Sequence, residues 1–208
     1  MSKPDAPKFR RRKADRPAEI LEAALDVFAT RGFAATRLDE VARQAGVSKG
    51  ALYLYFETKE ALFRGAIRAV MKPNLERVEM LSSAPLPFET LVRMAIGGVA
   101  LTVAGDRRIG RVIKLVVAES ASQPELGAIW HQTVISPALG AMTALIRRAQ
   151  AEGAVRAGDA RYFAFGLIAP LLLGGLWRET FEPVGAEPVD IEALIAQHLD
   201  TVLSGMKS

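Results

Sequence analysis

The chain has 208 residues, of which half are apolar and about a quarter charged, enough for a folded protein of one large or two small domains. It contains no cysteine, which excludes disulfides, thiolate metal sites and cysteine nucleophiles and fits a reducing compartment. The formal net charge is +4. Residues 1–16 hold seven Lys or Arg against two Asp, so the basic excess lies in this N-terminal arm.

The basic arm has two interpretations. It is either a solvated tail or an extension that binds a polyanion, and its composition does not separate them. No apolar leader segment follows the basic N-terminus, so we expect a cytoplasmic protein.

Beyond the arm, apolar residues recur at helical spacing, without strand alternation or internal repeats. Pro17 suits a first helical turn, Thr58 is a candidate N-cap, and Pro73 predicts a kink or break in the helix that Thr58 starts. The pattern predicts helices at 17–31, 38–46, 48–56, 58–72, 88–104, 111–120, 125–151, 162–177 and 191–203.

The segment 162–177, YFAFGLIAPLLLGGLW, is the most apolar part of the chain and is the candidate for a membrane span. It has 16 uncharged residues, including a proline and three glycines. A bilayer span needs about 20 residues, so we expect a helix buried in a core or a dimer interface rather than a membrane protein.

Residues 38–56 fit a helix-turn-helix. Gly46 stands where the turn needs a left-handed residue, and Ser48 is placed to cap the second helix. Leu52 and Phe56 are four residues apart and point inward together. The opposite face has few charges and two tyrosines: Lys49, Gly50, Ala51, Tyr53 and Tyr55. A helix-turn-helix places its second helix in the DNA major groove, where a residue without a side chain lets backbone approach the bases.

The run T-x-x-x-x-V-A-x-x-A-G-V-S-K-G-A-L-Y-L-Y-F-x-x-K-E-A-L-F, residues 36–63, closely resembles the signature of the TetR family of transcriptional regulators. This resemblance implies an all-α homodimer, with a three-helix helix-turn-helix unit followed by a larger helical ligand-binding and dimerisation domain. We therefore divide the chain into the arm (1–16), a DNA-binding domain (17–70) and a second domain (71–208). Residues 116–134 are more loosely similar to the AefR-like branch.

The resemblance also implies roles for residues at matched positions. The phosphate-positioning set is Thr36, Ser48, Tyr53, Tyr55 and Lys59. The positions nearest the base edges are Lys49, Gly50 and Ala51. Thr36 is also an N-cap candidate, and Arg37 is added from its charge alone. Beside this motif, we favour the arm as a minor-groove extension. Its contact residues would be Arg10, Arg11, Arg12 and Lys13.

The second domain shows no catalytic constellation. Its two histidines, His131 and His198, have no ligand spacing to carboxylates, so we expect no metal, no cofactor and no enzyme activity. Pockets are mostly apolar with a few polar groups, so we expect an apolar small-molecule effector. Candidate pocket residues, whose aromatic members could equally be core, are Arg111, Glu119, Trp130, His131, Phe163, Trp177 and Arg178. We place the dimer interface on 162–177 and the last helix, where small residues at 166, 174 and 175 permit close packing.

These features predict a homodimer that reads a palindromic operator in double-stranded DNA and is released from it by the effector. The main alternative is an activator or a ligand-independent regulator of the same class. A helical enzyme would need a catalytic group that the sequence does not show.

Overall fold

The computed structural model describes residues 8–82 and 84–208, and every regular element within these ranges is helical. The elements are α1 (Lys8–Arg31), α2 (Leu38–Gln44), α3 (Lys49–Tyr53), α4 (Lys59–Ser82), α5 (Phe88–Gly105), α6 (Arg107–Glu119), α7 (Pro124–Trp130), a π-helical turn (His131–Ile135), α8 (Ser136–Ala151), α9 (Ala160–Thr180), a 3₁₀ turn (Glu182–Val184) and α10 (Ile191–Met206). The predicted all-α fold is confirmed.

Two prolines lie inside helices that were predicted to begin or break near them. Helix α1 starts at Lys8, so Pro17 lies in its interior rather than in its first turn. Helix α4 continues through Pro73 to Ser82, so the helix does not break there, and a kink at Pro73 stays a prediction. Proline removes one helical hydrogen bond, and the bonds on either side of Pro73 keep the helix continuous.

The chain divides into two compact units, with the boundary between Ala69 and Val70. Three phenylalanines form the centre of the first unit. The ring of Phe28 stacks on Phe33 at 5.6 Å and meets Phe63 edge-on at 5.1 Å, and all three are almost fully buried. Leu52 of α3 is also completely buried, so burial of apolar side chains holds this short helix in place.

Helix α9 is the centre of the second unit and packs against α5, α6, α8 and α10. A Cβ added at Gly110 would lie 2.8 Å from the carbonyl oxygen of Gly175, so α6 and α9 approach closely because both residues are glycine. Gly174 likewise packs beside Ile191. The prediction that positions 174 and 175 serve a dimer interface is therefore wrong, because both are buried within the chain. Gly166 is exposed and its Cβ position is open.

Two helical stretches, Phe88–Gly105 and Ala160–Val184, are long and apolar enough to cross a bilayer by length and composition. The second exceeds the 16 residues expected from the sequence. Core helices of soluble proteins pass the same test, so this is weak evidence for a membrane span.

Candidate DNA-binding surface and ligand cavity

The turn between α2 and α3 has the geometry that its residues predict. Gly46 has φ of +65°, a left-handed conformation that glycine adopts at low cost. The N–H of Val47 donates to the carbonyl of Ala42 at 3.0 Å, which closes the turn. The hydroxyl oxygen of Ser48 accepts from the N–H of Ala51 at 3.2 Å, so the predicted N-cap is confirmed.

Helix α3 is shorter than predicted and ends at Tyr53 rather than at Phe56. The N–H groups of Tyr55 and Phe56 both donate to the carbonyl of Leu52, so the chain tightens at this end. Leu54, at the C-cap, is 84% exposed and was not singled out from the sequence. The sequence does indicate this exposure in one way, because Leu54 stands between two tyrosines that were predicted to face outward.

The outward face of α3 matches the face predicted to meet DNA. Lys49 and Gly50 are exposed, and Tyr53 and Tyr55 are exposed by 41% and 40%. Ala51 is half-buried. A Cβ built on Gly50 meets nothing within 4 Å, so the fold of the chain does not require glycine at this position.

Lys49 is paired on the same surface. Its ammonium lies 2.9 Å from a carboxylate oxygen of Asp39 and 5.9 Å from the ring centroid of Tyr53. The hydrogen bond to Asp39, and then its charge, raise the pKa of Lys49 above its usual value. Both side chains are exposed, so the pair contributes little to stability.

Thr36 and Lys59 are turned toward the chain's own backbone. The buried Thr36 hydroxyl donates to the carbonyl of Gly32 at 2.6 Å, and its N–H donates to Phe33. Both donors of Thr36 are therefore engaged, and in this conformation neither is directed at a phosphate. The N-cap of α2 is Arg37, so the predicted capping role of Thr36 is wrong.

The Lys59 ammonium donates to the carbonyls of Phe33 and Ala34 at 2.8 and 3.3 Å. It therefore joins the start of α4 to the loop after α1. The exposed Arg37 makes no side-chain capping bond. The arm side chains Arg10, Arg11, Arg12 and Lys13 lie outside the described residues.

The second unit contains a cavity of about 380 Å³. Side chains of α4, α5, α6, the helical stretch from Trp130 to Arg148, and α9 surround it, and almost all of them are apolar. Such a cavity has the character of a small-molecule site, with few polar groups in an apolar wall.

Two family models match the chain. The model described as bacterial regulatory proteins, tetR family, matches residues 20–66, and the model described as tetracyclin repressor-like, C-terminal domain, matches residues 94–196. The chain belongs to the TetR family. TetR-family proteins are transcriptional regulators that bind DNA and small-molecule effectors.

Individual relatives and structures agree with the TetR fold. The chain is 27% identical over 110 residues to the fatty acid metabolism regulator protein of Bacillus subtilis, covering 53% of this chain and 57% of that one. Alignments to the first four curated relatives span between 29% and 60% of their lengths.

Two solved structures superimpose on most of this TetR-family chain. FadR of Bacillus subtilis with stearoyl-CoA has a TM-score of 0.74 at 22% identity, covering 91% and 98% of the two chains. The SmeT–triclosan complex has a TM-score of 0.73 at 22% identity, covering 93% and 92%. SmeT represses a multidrug efflux pump of Stenotrophomonas maltophilia. At these identities the likeness shows the shared fold alone.

Of the seven predicted pocket residues in this TetR-family chain, Trp130 lines the cavity and the others lie elsewhere. Arg178 is buried, and its guanidinium donates to the carbonyls of Val103 and Ala104 at 2.6 and 3.0 Å. It thus satisfies carbonyls at the end of α5, which would otherwise be unpaired. The predicted ligand role of Arg178 has no support, because Arg178 lies outside the cavity wall and two of its guanidinium nitrogens join α9 to α5.

The remaining predicted pocket residues occupy other surfaces. The Trp177 indole donates to the carbonyl of Glu187, and Phe163 packs beneath Arg156. His131 is exposed, while Arg111 and Glu119 lie half-buried on α6 outside the cavity wall.

The π-helical turn and the polar residues of the cavity wall were not predicted from the sequence. The extra residue of this turn, His131–Ile135, changes the register of the helix between Trp130 and α8. Asn74 and Arg148 also line the cavity. The apolar residues between positions 129 and 146 indicate a buried helix face, but they do not indicate that this face borders a cavity.

Proposed function

We propose that this TetR-family regulator is a cytoplasmic homodimeric repressor that binds a palindromic operator and is released by an apolar effector in the cavity of the second unit. The observation that carries the proposal is the outward face of α3. It offers Lys49, a bare backbone at Gly50 and two tyrosines on a capped helix, which suits close approach to the uncharged base edges on the floor of the major groove.

The phosphate contacts that we propose come from groups around this face. Tyrosine hydroxyls donate to phosphate oxygens, and the N-terminal end of α3 at Ser48 carries N–H groups suited to anions. We propose Arg37 and the arm side chains Arg10–Lys13 as additional cationic contacts. Lys59 and Thr36 act mainly through the loop that they hold in place.

Dimerisation is proposed on the outer side of α9. Tyr162, Phe165 and Leu173 are exposed by 70%, 44% and 59%, and together with Gly166 and Ala169 they recur at helical spacing. His198 bonds the carbonyl of Gly166 at 2.8 Å, which holds α10 beside this stripe. A second copy of the same stripe would bury these side chains in a two-fold helix pair.

Release follows if the effector binds better to the conformation that does not fit DNA. The apolar cavity favours a ligand-responsive regulator over the ligand-independent alternative. FadR of Bacillus subtilis was solved with stearoyl-CoA and SmeT with triclosan, so a compound with a long acyl chain and an apolar aromatic compound are suitable first candidates for this chain.

The test begins with selection of operator DNA from a random duplex library by the full chain. We expect a palindrome, and we expect fluorescence anisotropy to show at least tenfold weaker binding when a cavity ligand is added. Lys49→Ala should lose at least tenfold in operator affinity, whereas Lys72→Ala, an exposed lysine of the second unit, should not. Tighter binding with ligand would indicate an activator or co-repressed regulator, and an asymmetric site would contradict the dimer.

A further inference from the structure

Two uncharged side chains of the cavity wall have an N–H group without an acceptor in the part of the chain that the structure describes. Asn74 and Trp130 both line the cavity and are 3% and 9% exposed. Within the described residues the indole N–H of Trp130 makes no hydrogen bond, whereas that of Trp177 donates to the carbonyl of Glu187 at 3.0 Å. Buried indole N–H groups usually have a partner, so an unpaired one at a cavity wall points to an acceptor that enters the cavity.

The amide of Asn74 is held in one orientation. An arginine side chain can only donate, so the atom that lies 3.1 Å from the Arg77 guanidinium is the amide oxygen of Asn74. The amide nitrogen donates to the Thr102 hydroxyl at 2.9 Å, and that hydroxyl donates to the carbonyl of Gly98 at 3.0 Å. The Arg77 side chain lies directly against Gly98, where a Cβ would overlap it. These contacts fix the amide between α4 and α5.

The anchored amide of Asn74 has one donor left over. An amide nitrogen carries two N–H groups, and the described residues provide an acceptor for one of them, the Thr102 hydroxyl. Holding α4 against α5 therefore uses the amide oxygen and one N–H but not the second N–H. An unpaired buried donor costs roughly 1–3 kcal/mol, so a ligand that brings an acceptor to it is stabilised.

The rest of the wall favours a ligand without charge. Among the described wall residues the amide of Asn74 has the one side-chain oxygen, and Arg77 occupies it. Arg148 is the charged wall residue, but it pairs with Glu152 and has a further interaction, so its charge already has partners. Burying an ionised ligand group among apolar side chains is costly unless the group is paired. The wall therefore suits an uncharged ligand whose polar atoms accept hydrogen bonds.

We infer that the cavity takes an uncharged, mainly apolar compound with an acceptor oxygen, such as a ketone, ester or ether, which accepts from the free N–H of Asn74 or from Trp130. A cavity of about 150 Å³ holds benzene, so one of about 380 Å³ has room for roughly 15 non-hydrogen atoms. As the identity of the effector, this rests on the proposed function; as a binding site, it stands on the cavity and its two donors.

Four probes that share a phenyl ring and a four-carbon chain test the ligand class: butylbenzene, butyrophenone, 4-phenylbutanoate and 4-phenylbutylammonium. Their affinities for the full chain are measured by isothermal titration calorimetry. We expect butyrophenone to bind at least fivefold more tightly than either charged probe, because the wall has no free charge to pair with them. A charged probe that binds as tightly as butyrophenone would overturn the uncharged class.

Variants test the two donors. The hydrocarbon leaves water more readily than the ketone, so the measured quantity is the ratio of butyrophenone affinity to butylbenzene affinity in each variant. Asn74→Leu removes the amide N–H, and Trp130→Phe removes the indole N–H but keeps an aromatic ring. At least one of these variants should lower the ratio fivefold or more, and that variant identifies the donor that meets the ketone oxygen.

Trp177→Phe is the matched control, because the Trp177 N–H is bonded to Glu187 and lies outside the cavity wall. It should keep the parent ratio. Circular dichroism checks that each variant is folded, and if Asn74→Leu is not, Asn74→Asp removes the same N–H and keeps an oxygen for Arg77. The parent ratio in the variants of both donors, or an equal loss in Trp177→Phe, would overturn the acceptor oxygen.

The same measurements separate this inference from the proposed release. If uncharged ketones bind through Asn74 or Trp130 but leave operator affinity unchanged, the site stands and the release function fails. If another compound releases the operator and ketone binding depends on neither donor, the release function stands and this inference fails.

Discussion

Gly50 is exposed on α3, has an ordinary backbone conformation, and has open space where a Cβ would stand. Gly46, four residues earlier, is different because its φ of +65° penalises any other residue. A glycine inside a helix costs roughly 1 kcal/mol relative to alanine, and nothing within the free chain offsets that cost at Gly50. The explanation that remains is an approaching partner, which we take to be DNA.

Gly50→Val tests this explanation. The free energy of unfolding should stay the same or rise by a few tenths of a kcal/mol, because valine is a better helix former than glycine and meets no neighbour. Operator affinity, measured by anisotropy, should fall at least tenfold, because the added methyl groups would occupy the gap to the bases. Gly140→Val on α8, another exposed helical glycine with an open Cβ position, should have a similarly small effect on the free energy of unfolding and should leave operator affinity unchanged. If Gly50→Val binds the operator as the parent does, close approach is not the reason for this glycine.

At the scale of elements, α4 supplies side chains to both units. Leu62 and Phe63 are fully buried in the first unit, while Met71 and Leu75 line the cavity of the second. Pro73 removes one hydrogen bond in the middle of this helix, which makes it easier to bend there. We propose that a bound effector acts on DNA affinity by shifting α4 at this point.

Pro73→Ala restores the missing N–H and should stiffen the helix. We expect the ratio of operator affinities without and with ligand to fall at least threefold, because the bent, ligand-favoured conformation loses its advantage. The affinity without ligand should change less than twofold. Lys72→Ala, adjacent and exposed, should leave both affinities unchanged. Equal changes in the two affinities of Pro73→Ala would remove α4 bending from the mechanism.

Features that depend on neighbouring residues in the sequence could be predicted, whereas features that depend on the packing of distant helices could not. Gly46 and Ser48 act on residues within a few positions of themselves, so their types determine the turn and the cap. Arg178 instead donates to carbonyls 74 and 75 positions away in the sequence. From the sequence alone, a cation beside aromatic residues in an apolar helix is as consistent with a ligand pocket as with this structural role. The cavity is the space that five helical segments leave unfilled, and no local pattern records it.

For the whole molecule, the outer stripe of α9, which we propose as the dimer interface, would determine whether two copies of α3 can act together on DNA. The stripe runs from Tyr162 to Leu173, about 16 Å along the helix. Burying a leucine side chain in the interface would contribute roughly 1.5–3 kcal/mol to the free energy of dimerisation. In a two-fold interface each such contact occurs twice. An operator palindrome would then be read by two copies of α3 whose spacing the dimer sets.

Leu173→Glu places a charge at the C-terminal end of this stripe. We expect sedimentation velocity to show a folded monomer and operator affinity to fall more than tenfold, since one α3 alone makes half of the contacts. Leu101→Glu is the matched control, because Leu101 on α5 is 57% exposed against 59% for Leu173. Circular dichroism should show the same helix content for both variants. A monomer from Leu101→Glu and a dimer from Leu173→Glu would move the interface to the α5 face, whereas dimers from both would place it on neither helix face.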